Sequence, residues 1–348
     1  MQPRLPTRRG PLSDALFRHW TEGEPLDSGR PSNRIDPLTD DDLHLALWSC
    51  YELHYRGFED IDDRFEWDLE TIAFRTGLER AFEDALRDEH RADAVPTDPV
   101  VALRVIATWA GPPLARTIEA EGERAHLAEF AIHRSSYQLK EADPHTWAIP
   151  RLAGPGRSAM IEIQADEYGE GRPGEAHSEL FADAMEELGL CADFGHYVDR
   201  LPGVTLATDN LVSMFGLNRR LRGAVVGHLA LFEMCSVTPM SRYLAAAQRI
   251  GGLGALERFY AVHVQVDAHH ARLALDQMVA PLAEGEPGLA PDIIFGAAAL
   301  SRVESRFARH VLDAWDNGRS SLLDDIAAPG AARSEEVHST AWFLVGAA

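Results

Sequence analysis

Positive charge is what this chain has least of: 33 Lys and Arg stand against 55 Asp and Glu, a formal net charge of -22, and Lys140 is the only lysine. Recognition of a phosphate backbone or an anionic bilayer needs clustered basic side chains, so nucleic acid and membrane surfaces are excluded as expected partners. Cysteine is sparse as well. Cys50, Cys191 and Cys235 are too few and too scattered for a disulfide framework or a cysteine-rich zinc site, which makes a reducing cytoplasm the expected compartment. No apolar run approaches membrane-spanning length, and the basic start from Met1 to Pro11 lacks the apolar core of a signal peptide. Period-two strand patterns are almost absent, and there is no internal repeat, heptad array or low-complexity tract. The dearth of lysine, with abundant Ala, Gly and Arg, most simply reflects a GC-rich coding sequence.

What is present is 348 residues, 45% apolar and 25% charged, enough for a core that needs no staple. Residues 1 to about 38 lack sustained periodicity and are expected to form an extended arm. Helical patterning starts near Thr39, where Thr39-Asp40-Asp41-Asp42 offers a cap. Further helices are expected over 69–87, 100–110, 113–141, 158–168, 175–188 and 208–215. Another four should cover 218–235, 239–250, 256–279 and 294–315. Asp143-Pro144 and Thr238-Pro239 read as boundaries, because proline resists the helix interior and restricts the residue before it. The architecture is therefore an all-α bundle. Residues 1–97 are expected to form an N-terminal arm and helical subdomain, which could supply the face of a homodimer, and 98–348 the main domain.

Chemistry concentrates in Phe259–Arg272. On a helix, His263, Asp267 and His270 stand at i, i+4 and i+7 and project from one face, among apolar neighbours such as Phe259, Val262 and Leu273. Buried imidazoles and a buried carboxylate need partners, and a cation would suit all three at once; spacing alone leaves a plain polar patch equally open. Glu141, Glu167, His177 and Glu233 are candidates to complete such a set from other helices. Glu233 is the clearest, a lone carboxylate in the apolar run Ala230–Cys235. Glu129 and Glu162 compete with Glu141. His54, His133 and His269 read as structural or exposed, and Glu52 with His54, two residues apart, face different sides of a helix and make a poor chelating pair.

The order Glu141, Glu167, His177, Glu233, then His263-x3-Asp267-x2-His270 resembles the ligand order of the haem-oxygenase-like di-iron oxidases and oxygenases, the iron-containing redox enzyme family. It is similar to the central domain of N-nitrosourea-forming oxygenases, in which a glutamate also precedes a histidine by ten residues, as Glu167 precedes His177. Tyr51–Phe58 and Tyr137–His145 look like segments of family members from high-GC bacteria. The resemblance covers most of the chain, its ligand-bearing part running from about residue 125 to 280. No cupin-like metal domain follows, so the complete activity of the three-domain enzymes is not expected.

The resemblance implies a haem-oxygenase-like bundle holding two Fe(II) ions, with O2 as co-substrate. A set of three imidazoles and four carboxylates, without thiolate, also suits two irons better than one zinc. By analogy His177, His270 and Glu141 would share one iron, and His263, Asp267 and Glu233 the other, with Glu167 between them. The implied function is a non-haem di-iron oxidoreductase acting on a small metabolite in bacterial secondary metabolism, by N-oxygenation, oxidative C-C cleavage or desaturation. The alternatives are a cofactor-free or haem-binding protein of the same fold, or a non-catalytic iron- or partner-binding one. Lys140 and Tyr168 are candidate catalytic residues beside the site, Tyr137 a candidate neighbour, and Arg134, Arg151 and Arg272 candidate anchors for an acidic substrate.

Overall fold

The computed structural model describes residues 2–324 apart from residues 30 and 33; the last part of the expected 98–348 domain, residues 325–348, lies outside the described residues. All regular elements among the described residues are helical: α1 Pro11–Glu22, α2 Asp41–Glu52, α3 Leu69–His90, α4 Pro99–Ile106, α5 Leu114–Glu121, α6 Arg124–Gln138, α7 Asp143–Thr146, α8 Gly154–Glu167, α9 His177–Glu187, α10 Gly203–Leu217, α11 Arg222–Ile250, α12 Gly254–Arg272, α13 Ala280–Gly285 and α14 Ala290–Asp316. The all-α class expected from the sequence is the one found among the described residues.

Helix α11 is the spine. It packs along α12 on one side and α14 on the other, while α10 bridges α2 and α14. The α11–α14 crossing is close enough to require glycine: a Cβ on Gly227 would sit 1.8 Å from the Ile293 carbonyl oxygen, and one on Gly296 2.0 Å from that of Ala224. One contiguous cluster of buried apolar side chains extends from Leu16 in α1 to Val311 in α14, joining the N-terminal helices to the rest.

Five expectations about the elements need correction. The N-terminal arm contains a helix, α1, which buries Leu16, Phe17 and Trp20. Its cap comes from another helix: the Asp42 carboxylate accepts from the Leu12 and Ser13 amides (2.7 and 2.9 Å) and from the Ser13 hydroxyl (2.5 Å). The helix expected over 113–141 is two, because Gly122 is extended and a Cβ there would strike the Ile118 carbonyl. Asp143-Pro144 opens α7 instead of ending a helix, since proline is well placed in a first turn. Conversely, α11 runs straight through Pro239, so the stretch Arg219–Ile250 is long and apolar enough to cross a membrane. That stretch is mostly buried against its neighbours and carries Glu233, the marks of a core helix. After His270 the helix expected to continue to Val279 changes pitch, and Leu273–Val279 forms a π-helical segment, a form common beside functional sites.

Candidate metal centre

Helix α12 presents His263, Asp267 and His270 inward, as their spacing requires, and four other elements bring carboxylates and an imidazole to meet them. Glu167 is the last residue of α8, His177 the first of α9, and Glu233 lies midway along α11. Glu141 stands in the turn between α6 and α7. That turn is fixed from three sides: Arg56 donates to the Leu139 carbonyl (2.8 Å), Gln164 to that of Ala142 (2.7 Å), and the Lys140 ammonium to Glu52 (3.2 Å). The side chains of Glu141, Glu167, His177, Glu233, His263, Asp267 and His270 all come together, none more than 8% exposed.

Their ligand atoms fall into two sets, Glu141–His177–His263 and Glu167–Glu233–His270, each with its atoms within 4.8 Å of one another. The division expected by analogy, with His270 beside Glu141, is not the one observed. His263 and His270 are separated by about two helical turns, roughly 10 Å of rise, and the His177 ring lies against His263, with centroids 4.3 Å apart. Asp267 lines the void between the sets without joining either, together with Tyr137, His145 and Phe232.

Each of two imidazoles is oriented by its second nitrogen. His263 Nδ1 lies 2.8 Å from the Phe259 carbonyl and His270 Nε2 2.9 Å from Asp166. An N–H donated to those acceptors fixes the tautomer and leaves His263 Nε2 and His270 Nδ1 with free lone pairs, the arrangement metal-bound histidines adopt. These two nitrogens, with His177 Nδ1, Glu141 Oε2 and Glu167 Oε2, are buried and make no hydrogen bond. His177 Nδ1 and Glu167 Oε2 are 2.7 Å apart, yet not in hydrogen-bonding geometry. Buried polar atoms left without partners are costly, and here they converge, which fits cations better than it fits a polar network. The space among them is about 10 Å³, room for ions and none for a porphyrin.

The electrostatics agree. Burial pushes the Glu233 carboxyl up to about 8, with Glu167 and Asp267 adding to it against the pull of His270. Burial likewise lifts Asp267 to about 6. Burial opposes charge on His263 and His270, but the surrounding carboxylates outweigh it and raise them to about 10 and 9. Glu167 is held down to about 2, its burial overcome by His177, His263 and His270. Carboxylates and imidazoles here compete for a few protons in place of a stronger positive charge.

The other candidates lie elsewhere. Lys140 points away from the void into a buried network with Glu52 (3.2 Å) and Asp209 (3.4 Å), beneath the Tyr55, Phe194 and Trp48 rings. Tyr168 is 40% exposed, its hydroxyl donating to Asp143 (2.8 Å). Of Glu141's competitors, Glu129 bonds Ser321 and Trp315, and Glu162 is exposed beside His269. Arg151 binds the Gly216 and Leu217 carbonyls at the end of α10, whereas Arg134 forms a two-pronged pair with Glu304. His133 bonds Thr205 and Ser321, and His54 pairs with Glu66. Sequence reasoning missed Asp166 as the partner of His270, and the buried His145–His228 contact (3.2 Å) behind the void. Asp166 immediately precedes Glu167, and that adjacency to a candidate ligand is the signal the sequence offers.

The sequence model of a family described as iron-containing redox enzymes matches residues 128–305, a span that includes all seven side chains. Nitrosourea synthase of Streptomyces achromogenes subsp. streptozoticus is 27% identical over 186 residues, 53% of this chain and 40% of that enzyme. The chain thus matches well under half of that relative's length.

Proposed function

Because the chain belongs to the iron-containing redox enzyme family, we propose that it is a non-haem di-iron oxidase or oxygenase that spends O2 on a small metabolite. The observation that carries this reading is the convergence of orphaned ligand atoms into two adjoining sets with no thiolate among them. Glu141, His177 and His263 would hold one ion and Glu167, Glu233 and His270 the other, with Asp267 available to either. Two ferrous ions there would supply the electrons for reduction of O2 while the substrate is oxidised. The protein's own part is positional. Asp166 and the Phe259 carbonyl aim His270 and His263, the clamped turn sets Glu141, and Tyr137 and Phe232 line the void beside the ligands.

N-oxygenation, oxidative C-C cleavage and desaturation are the reactions in view, and the name of the Streptomyces relative favours nitrogen chemistry. Its whole activity is not carried over, since the match covers 40% of it. Three free cysteines support residence in a reducing cytoplasm. The test is oxygen uptake by anaerobically iron-loaded protein in an oxygen-electrode cell. Uptake should depend on iron, fall at least about tenfold in Glu233→Ala, and persist in Glu162→Ala, whose carboxylate is exposed. Equal uptake by wild type and Glu233→Ala would remove the assignment.

A further inference from the structure

Beside the metal centre lies a second, larger cavity of about 330 Å³, between α4, α5, α6, α11 and α14. It shares Tyr137 and Phe232 with the void among the ligands, so its inner end abuts the site of chemistry. The volume is at the small end of the range for metabolite-sized sites, which run from roughly 300 to 1,000 Å³. Its mouth includes the exposed Cys235, and Pro239 within α11 forms part of the wall.

The walls define the guest's charge. They are mostly apolar and aromatic, and among the described residues they carry one cation, Arg134, and one anion, Glu304. These two consume each other. Arg134 donates through both terminal nitrogens to Glu304, at 2.9 and 2.6 Å, and its guanidinium lies 4.3 Å from the Phe307 ring centroid and 5.4 Å from that of Phe130. Burial opposes charge on Arg134, yet Glu304 more than compensates and raises its pKa. A guest carboxylate would find no unpaired cation. A guest ammonium would find Glu304 already taken. Moving an ion from water into such a space without a partner is costly, whereas an uncharged ring or branched chain loses nothing.

We propose that this cavity is the substrate chamber and that its substrate is uncharged and predominantly apolar, about one or two rings in size, not an amino acid or other free acid. Hydrogen bonds from polar groups on the walls, Gln138, Ser301 and Ser305 among them, can orient a neutral polar substituent. The inference rests on the di-iron reading for the word substrate, and on the cavity alone for the charge of the ligand.

The experiment uses three isosteric probes, 2-naphthamide, 2-naphthoate and 2-naphthylmethylammonium, titrated calorimetrically into the full-length chain with and without ferrous iron. The neutral amide should bind at least about tenfold more tightly than either ion. Glu304→Gln, which frees Arg134, should reverse the order so that 2-naphthoate binds best, while Ala308→Trp, which fills the chamber, should abolish amide binding and leave iron content unchanged. Equal binding of amide and naphthoate by the wild type overturns the proposal without recourse to any variant, as does amide binding that survives Ala308→Trp in a folded chain. Iron content is counted separately. Discrimination among probes by a protein that binds no iron would remove the di-iron reading and leave the chamber's charge preference standing.

Discussion

Replacing Lys140 by methionine should destabilise the protein by about 3–5 kcal/mol, the penalty for stripping the cation from a buried ionic network. Lys140, Glu52 and Asp209 have side chains no more than 1% exposed. Trp48 donates to Asp209 (2.9 Å) and the Arg56 amide to Glu52 (3.2 Å), but neither supplies a charge. Two carboxylates face one ammonium, and burial accordingly lifts Glu52 to about 7, against the pull of Lys140. A carboxyl raised in the folded state from 4.5 to about 7 binds a proton that the unfolded chain has released. Its contribution therefore weakens stability as pH climbs through that window. In the methionine variant both carboxyls can be silenced by protonation at low pH, so its defect should be greatest above pH 7 and shrink toward pH 5. Adding Asp209→Asn should recover a substantial part of the loss, since it removes one of the stranded charges. Denaturant melts of the single and double variants across that range check all three expectations. Lys140 thus acts on the candidate centre through the backbone, by anchoring the turn that carries Glu141.

Iron binding should strengthen steeply with pH, the second large effect. In the iron-free chain at neutral pH, His263 (about 10), His270 (about 9) and Glu233 (about 8) hold protons, while Glu167 (about 2) and Asp267 (about 6) are largely ionised. Each proton must leave before its atom can ligate, so each adds about one decade of apparent affinity per pH unit until its own pKa is passed. The dependence should stay steep up to about pH 8, where Glu233 has lost its proton, and flatten near 10. The same shifts govern stability. Histidines raised above their usual 6.5 stabilise the iron-free fold fully below that value and cease to do so as pH rises through about 9 to 10. Glu233, raised from 4.5, has the same sign, its benefit dwindling between 4.5 and about 8. The iron-free protein should therefore melt progressively lower above neutrality, and iron should restore it. Calorimetry in buffers of different ionisation enthalpy counts the protons; an affinity independent of pH would contradict the assignment of these groups as ligands.

How far the sequence foretells this arrangement depends on whether the information is local. His263, Asp267 and His270 are legible because helical periodicity places them on one face, and Glu233 because a carboxylate in an apolar run demands a partner. The ten-residue step from Glu167 to His177 is legible only through resemblance, as it spans the break between α8 and α9. The pairing of ligands is not legible at all: it depends on how α9 meets α12, which brings His177 to His263 and away from His270. The same holds for α1, whose cap is supplied by Asp42 in α2, and for Lys140, whose partners lie on α2 and α10. Pro239 misleads for the opposite reason, a strong local signal overruled by the packing of α11 between α12 and α14.

The central claim is that two sets of side chains hold two irons, and counting the metal tests it most directly. The chain is reconstituted anaerobically with excess ferrous iron, freed of unbound metal, and assayed for iron per chain in wild type, His263→Ala and His270→Ala. Because the two histidines belong to different sets, about two irons are expected in the wild type and about one in each variant. Less than one iron in the wild type, with no change on either substitution, would contradict the account.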